Sequence, residues 1–252
     1  MINNYNGTLV PVEKALFKAG NRAFLYADRL FETILFHDSK LLLWEEHYFR
    51  IMGGACMLRM DIPINYNMDF LKHEIHKTIE ANKISEKSLR IRLSIFRADG
   101  GLYLPLNKSV EYLIEVDLVP NFNLEMNIKG AIIDVFYDHV ILNRSLSSIK
   151  GNNSIISVLS LIYADENNLD ESIILNSNSF ICETSTSNIF LVIGKKILTP
   201  PINSGCINGI IREKIIENAD SWGYEIEESN IKPFQLIKAD EVFLSNSIKI
   251  IT

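Results

Sequence analysis

Residues 183–212 read ETSTSNIFLVIGKKILTPPINSGCINGIIR. The stretch opens on a carboxylate, Glu183, followed by four small hydroxyl residues, Thr184 to Ser187, and then the apolar run Ile189 to Ile193. With ESIILNSNSFIC just before it, the pattern predicts several short strands separated by polar turns, and NGIIREKIIENADSWG predicts a helix behind them. Gly209 falls in the turn leading into that helix. Gly223 falls just past its end, where a C′ glycine belongs. A glycine turn ahead of a helix N-terminus is a natural seat for an anion, through its free backbone amides. A carboxylate inside strand-like sequence is costly to bury unless a cation or a donor meets it, so the rest of the chain must supply one or leave Glu183 at the surface.

Composition narrows the choices. The 252 residues suffice for one large domain or two modest ones. A hydrophobic share of 47% with 22% charged residues fits a globular protein with an ordinary core. The net charge of −6, without a basic block, argues against broad nucleic-acid binding. Cys56, Cys182 and Cys206 form no CxxC pair, so neither a zinc site nor a disulfide framework is expected, and a reducing cytoplasm fits best. No apolar run approaches the roughly 18 residues of a membrane helix, so no membrane partner is expected.

Upstream, RLFETILFH predicts a strand, HDSK a turn, and Leu41 to Leu43 a short returning strand. WEEHYFRIMGGACMLRM reads as a helix with Trp44, Tyr48 and Ile51 on one face. NMDFLKHEIHKTIEANK reads as another, with Phe70, Ile75 and Ile79 facing in and Lys72, Glu74 and Lys77 facing out. SLRIRLSIFRA and VEYLIEVDLVP alternate as strands do. Pro120 and NFNLEMN read as a hinge, which puts a domain boundary near residues 118–126. Beyond it come the strand GAIIDVFYD, the helix KGNNSIISVLSLIYADENN, and a final strand with a polar turn in ADEVFLSNSIKII. Strands and helices mix without strict βαβ alternation, so the expected class is α+β in two domains, 1–119 and the larger, cofactor-binding 120–252.

Two residues stand out chemically. Lys150, in RSLSSIKGNNS, is expected at the start of a helix, against the preference of the helix dipole for anions there. It reads either as a surface lysine or as an amine held for a Schiff base. Glu183 alone reads equally well as a surface carboxylate. Together they are what pyridoxal phosphate requires: an amine for its aldehyde and an acid for its ring nitrogen. Arg50 offers a cation for the phosphate, and Asn246 and Ser247 in LSNSIK offer further donors.

These segments, in this order from about Asn21 onward, resemble the class IV aminotransferases, the fold-type IV pyridoxal-phosphate enzymes. That family includes branched-chain and D-amino-acid aminotransferases and aminodeoxychorismate lyase. ETSTSNIFLVIGKKILTPPINSGCINGIIR carries most of the likeness, supported by RLFETILFHDSKLLLWEEHYFRI and KADEVFLSNS. The resemblance implies that Lys150 binds the cofactor covalently, Glu183 pairs with the pyridine nitrogen and Arg50 meets the phosphate. The amides of Ile210 and Ile211 after Gly209, with Ser247, complete the phosphate seat. Tyr26, Phe31 and Leu102 fall where the substrate pocket is lined, and Arg92 falls where one branch binds a carboxylate. The family also implies a homodimer acting on small amino and keto acids. An aminotransferase for small or branched aliphatic amino acids, with glutamate and 2-oxoglutarate as the other pair, is the leading expectation. Aminodeoxychorismate lyase and a non-catalytic binding protein on the same fold are the alternatives.

The chain also departs from the pattern. Arg29 in YADRLFET stands where a small residue is usual. It reads either as an outward, ion-pairing side chain or as one that holds an acidic substrate. Ile211 replaces a common Thr. Leu102 and Leu104 replace the carboxylate-gripping pair of the D-amino-acid branch, and Ile155 replaces a Tyr of the branched-chain branch.

Overall fold

The computed structural model describes residues 1–119, 122, 129–151 and 153–252. Residues 120, 121 and 123–127 of the expected hinge lie outside the described residues. The chain forms two compact units: Met1–Phe122 with Lys150–Asn153, and Asn123–Ile149 with Ser154–Thr252.

The first unit is built on a six-stranded sheet. In chain order its elements are β1 (Ile2–Tyr5), β2 (Thr8–Pro11), the short α1 (Arg22–Tyr26), β3 (Arg29–His37), β4 (Lys40–Leu41), α2 (Trp44–Met57), α3 (Met68–Asn82), β5 (Ser88–Arg97) and β6 (Val110–Leu118). The strand order is β2-β1-β6-β5-β3-β4, antiparallel throughout. The central register sets Phe31 opposite Ser94, Thr33 opposite Arg92, and Arg92 opposite Glu115. Because successive side chains alternate in direction, Leu30, Glu32 and Ile34 share the face that meets α2, while Arg29, Phe31 and Thr33 share the other. Ile91, Leu93, Ile95 and Ile114 are fully buried, each stabilising the unit by about 2 kcal/mol.

The helices follow local rules. In α3 the Asn67 side chain caps the N-terminus by accepting from the Phe70 amide at 2.9 Å. The returning strand is shorter than expected. It ends at Leu41, and Leu43 takes a left-handed conformation, φ 50°, to turn the chain into α2. On α2 the buried residues are Trp44, His47, Ile51, Gly54 and Ala55, and Tyr48 is only half-buried. On α3 the expected outward position of Glu74 is corrected. Glu74 is buried, because Asn4 Nδ2 (2.8 Å), the Tyr112 hydroxyl (3.1 Å) and Lys77 Nζ (3.2 Å) all donate to Oε2. Donors from two strands and its own helix replace the water it gives up.

The second unit comprises β7 (Ile133–Ile141), α4 (Ile155–Glu166), β8 (Glu171–Asn176), β9 (Ile181–Thr184), β10 (Asn188–Ile193), β11 (Lys196–Thr199), α5 (Ile210–Asn218), β12 (Glu225–Glu228), β13 (Glu241–Asn246) and β14 (Ile250–Ile251). They form a three-stranded sheet, β7-β8-β9, and a five-stranded one, β12-β11-β10-β13-β14. β7–α4–β8 is a crossover joining parallel strands. The sheets share a core of Val135, Ile173, Leu175, Ile181, Ile189, Leu191, Leu198, Ile231 and Leu244. Gly223 ends the 3₁₀ turn that directly follows α5, with φ 79°, a conformation that favours glycine. Among the described residues no helix is long and apolar enough to cross a membrane.

The helix expected around Lys150 begins only at Ile155. Lys150 lies ahead of it, outside any helix or strand. Its carbonyl accepts from the Phe31 amide at 3.1 Å, and Gly151 bridges to Leu30. The segment's backbone groups find partners on β3, which outweighs local helix propensity.

Candidate functional site

In the first unit, Lys150 is held from its backbone outward. The Phe31–Lys150 hydrogen bond docks the segment against β3, and Lys150 Nζ lies 4.8 Å from the Phe31 ring centroid. The same ring carries the Arg92 guanidinium, its central carbon 4.2 Å from the centroid. An aromatic face attracts cations electrostatically, so Phe31 orients two of them. Arg29 belongs to this group: Nη2 donates to Ser94 Oγ at 2.5 Å and lies 3.6 Å from Glu115 Oε2.

Arg50 is placed on α2 by a buried carboxylate that sequence reasoning did not single out. Its Nε donates to Glu32 Oε1 at 2.7 Å and its Nη2 to Glu32 Oε2 at 2.5 Å, a two-point fork, while His47 Nδ1 lies 2.7 Å from Oε2. Burial alone would raise the Glu32 carboxyl. The charge of Arg50 and the hydrogen bonds of Arg50 and His47 outweigh it and hold the pKa down to about 2. Burial lowers His47 in spite of the Glu32 carboxylate. Facing a carboxylate acceptor, Nδ1 carries the hydrogen and donates to Glu32. The signal in the sequence was positional: Glu32 sits two residues from Leu30 and two from Ile34, both core positions of the same strand.

Tyr26 ends α1, half-buried, its ring 5.5 Å from that of Tyr103 and 4.9 Å from the Arg22 guanidinium carbon. Leu102 is exposed; its carbonyl accepts from Arg22 Nη1 at 2.5 Å. Asp28 accepts from Arg22 Nε at 3.0 Å and Arg97 Nε at 2.9 Å. Arg97 in turn donates to the carbonyls of Leu58 and Arg59, tying the end of α2 to the sheet.

In the second unit, Glu183 stands half-buried on β9, and its Oε2 accepts from the Ile207 amide at 2.9 Å. Beside it, the thiols of Cys182 and Cys206 are pushed up, first by burial and then by the Glu183 charge. Neither thiol is suited to act as a nucleophile. The hydroxyl run after Glu183 serves a different carboxylate. Buried Glu171 accepts from Thr184 Oγ1 (2.5 Å), Thr186 Oγ1 (2.6 Å), Ser187 Oγ (3.0 Å) and the Thr186 amide (3.1 Å). The β8–β9 pairing brings Glu171 beneath this turn.

Gly209 is the N-cap residue of α5, and no side chain caps the helix. A Cβ at this glycine would come within 1.9 Å of Asn188 Oδ1, an atom held in place because Asn188 Nδ2 donates to the Ile207 carbonyl at 2.9 Å. The first amides of α5, including those of Ile210 and Ile211, thus open at a residue that must lack a side chain. Asn246 Nδ2 donates to Ser187 Oγ at 3.0 Å. Its Oδ1 accepts from the Ile248 and Lys249 amides, so this side chain builds its own turn, with Ser247 half-buried inside it.

The amino-transferase class IV model matches residues 29–252, and the chain belongs to that family. The aminodeoxychorismate lyase of Vibrio harveyi is 28% identical over 253 residues, covering 98% of this chain and 87% of the relative. A branched-chain amino acid aminotransferase from Escherichia coli superposes with a TM-score of 0.87 at 28% identity, over 100% of this chain and 84% of that one. The T.th. branched-chain amino acid aminotransferase, solved in complex with N-(5'-phosphopyridoxyl)-L-glutamate, gives a TM-score of 0.86 at 26% identity over 100% and 83%.

Proposed function

We propose that this chain is a pyridoxal-phosphate-dependent aminotransferase for small or branched aliphatic amino acids, with glutamate and 2-oxoglutarate as the other substrate pair. The observation that carries it is the placement of Lys150, whose backbone is tied to β3 and whose amine is presented at the Phe31 ring. The donor set fits the cofactor: a positioned amine, a clamped guanidinium, a half-buried carboxylate, and a helix N-terminus with no side-chain cap.

Lys150 would attach the cofactor, and Arg50, locked by Glu32, would neutralise its phosphate with the amides of Ile210 and Ile211 and the Ser247 hydroxyl. Glu183 would hold a proton on the ring nitrogen. When bound, pyridoxal phosphate supplies an electron-withdrawing ring that acidifies the substrate's α-hydrogen. Lys150 Nζ would then be the base that moves that proton, with the Phe31 ring as apolar wall beside it. The family's use of this cofactor, and the branched-chain aminotransferases among the relatives, support the reading.

The test is covalent capture. Borohydride treatment of protein incubated with pyridoxal phosphate should add the reduced cofactor to the peptide containing Lys150, and Lys150→Ala should abolish the adduct. Leucine or glutamate should then convert the cofactor to pyridoxamine phosphate. Release of pyruvate from aminodeoxychorismate, with no such conversion, would favour the lyase instead. That alternative has its own support in the Vibrio harveyi relative. Absence of any adduct at Lys150 would refute the proposal.

A further inference from the structure

The turn after Glu183 is tied to a second turn of the same unit. Donors converge on both oxygens of buried Glu171: the Thr184 hydroxyl and the Thr186 amide on Oε2, the Thr186 and Ser187 hydroxyls on Oε1. A carboxylate only accepts, so the Ser187 proton goes to Glu171 and a lone pair of Oγ is left facing Asn246. Asn246 Nδ2 donates to it at 3.0 Å. That fixes which way the Asn246 amide points, and its Oδ1 is left to accept from the amides of Ile248 and Lys249 at 3.0 and 2.8 Å. The direction of each hydrogen bond in this chain thus follows from the charge at Glu171. Lys249, in the same turn, brings its Nζ to 3.9 Å from Glu171 Oε1. Ser247 lies between these two tethered residues. Asn188, next to Ser187, anchors the other side: its Nδ2 holds the Ile207 carbonyl ahead of α5, and it stands opposite Ser245 in the β10–β13 pairing.

We propose that Glu171 is a positioning residue: through Ser187 and Asn246 it sets the turn that presents the Ser247 hydroxyl to the phosphate of the cofactor. The inference rests on the proposed function for the identity of that ligand. The oxygens of Glu171 are taken up by the donors around them, so it acts on the phosphate only through the turn. Replacing it by Gln keeps the volume and changes the polarity. The Thr186 amide can only donate, which holds the Gln oxygen at the Oε2 position and puts the Gln NH2 against the hydroxyls of Thr186 and Ser187. Ser187 must then accept there and turn its proton toward Asn246. The Asn246 amide reverses in response, and its NH2 meets the amides of Ile248 and Lys249, donor against donor. The turn loosens, and Ser247 with it. Ser187→Ala cuts the same chain in the middle and leaves Glu171 in place.

The experiment compares the wild type, E171Q, S187A, the double variant and E171D in two ways. On the full chain without cofactor, hydrogen exchange of residues 246–249 reads the turn itself. Titration with pyridoxal phosphate and with pyridoxal, which lacks the phosphate, followed by absorbance, separates the phosphate seat from the rest of the site. E171Q and S187A should each weaken pyridoxal phosphate roughly tenfold and change pyridoxal by less than about twofold. The double variant should bind no worse than the weaker single one, because both changes cut one chain. E171D keeps a group that only accepts and should recover part of the loss. Exchange at 246–249 should speed up in E171Q and S187A. Should E171Q fail to fold, E171D and S187A carry the test. A purely structural role would weaken both compounds alike, and that result, or unchanged affinity in every variant, would overturn the proposal. A wild type that takes up no pyridoxal phosphate would refute the functional reading and the phosphate role with it. Unaltered exchange in the variants would separately refute the dependence of the turn on Glu171.

Discussion

Replacing Glu32 by Gln keeps the size of the side chain and removes the charge that clamps Arg50. The wild-type carboxyl is held from its ordinary 4.5 down to about 2 by Arg50 and His47 against the cost of burial. That difference corresponds to about 3 kcal/mol of folding stability near neutral pH. For a chain of this length the melting temperature of E32Q should fall by roughly 6–12 °C. The pH dependence follows from the direction of the shift. A carboxyl whose pKa is depressed in the folded state contributes stability that is fully present above its unfolded value of 4.5 and is lost as pH falls towards about 2. The gap between wild type and E32Q should therefore be constant from neutral pH down to about 5, shrink below that, and close near 2. Denaturant titrations at a series of pH values measure it directly. A gap below about 1 kcal/mol near neutral pH, or one that does not shrink on acidification, would show that the Glu32–Arg50 pair is not what holds this part of α2. In the loaded enzyme, E32Q should also release the cofactor faster, because Arg50 then loses its two-point anchor.

Gly209→Ala should destabilise the protein by about 1–3 kcal/mol, since the new Cβ meets Asn188 Oδ1; the backbone there, φ −73°, suits Ala, so adding Asn188→Ala should recover much of the loss in a thermal melt. Glu171→Ala leaves the hydroxyls of Thr184, Thr186 and Ser187 without their buried acceptor and should cost about 2–4 kcal/mol in a denaturant titration. Glu183→Gln should leave stability within about 1 kcal/mol of wild type, because the Ile207 amide keeps an acceptor; turnover with an amino donor should fall sharply, and an unchanged rate would remove Glu183 from the proposed chemistry.

How far sequence reading reached can be seen residue by residue. Glu74 was placed outward because charges on an amphipathic helix usually are. Asn4 and Tyr112 reach it from β1 and β6, more than 35 positions away in the chain on either side. Lys150 was placed on a helix because NSIISVL follows it, yet its backbone groups bond to β3 instead. The hydroxyl run next to Glu183 encloses Glu171, a carboxylate that sequence reading did not single out.

What the amino-acid sequence determined by itself is local and periodic. The alternation in RLFETILFH and SLRIRLSIFR set the central strands. Gly209 and Gly223 bounded a helix together with the 3₁₀ turn that follows it, and the segment from 183 to 212, with its supporting motifs on either side, resembled the family whose model matches residues 29–252. Which charges meet was decided only by the tertiary structure. The Glu32–Arg50 clamp, the Arg92 guanidinium on Phe31 and the shell around Glu171 each depend on strand register or helix docking across long separations in the chain. A buried charge is stable only beside a partner in the right geometry, and that geometry exists once the strands have paired and not before.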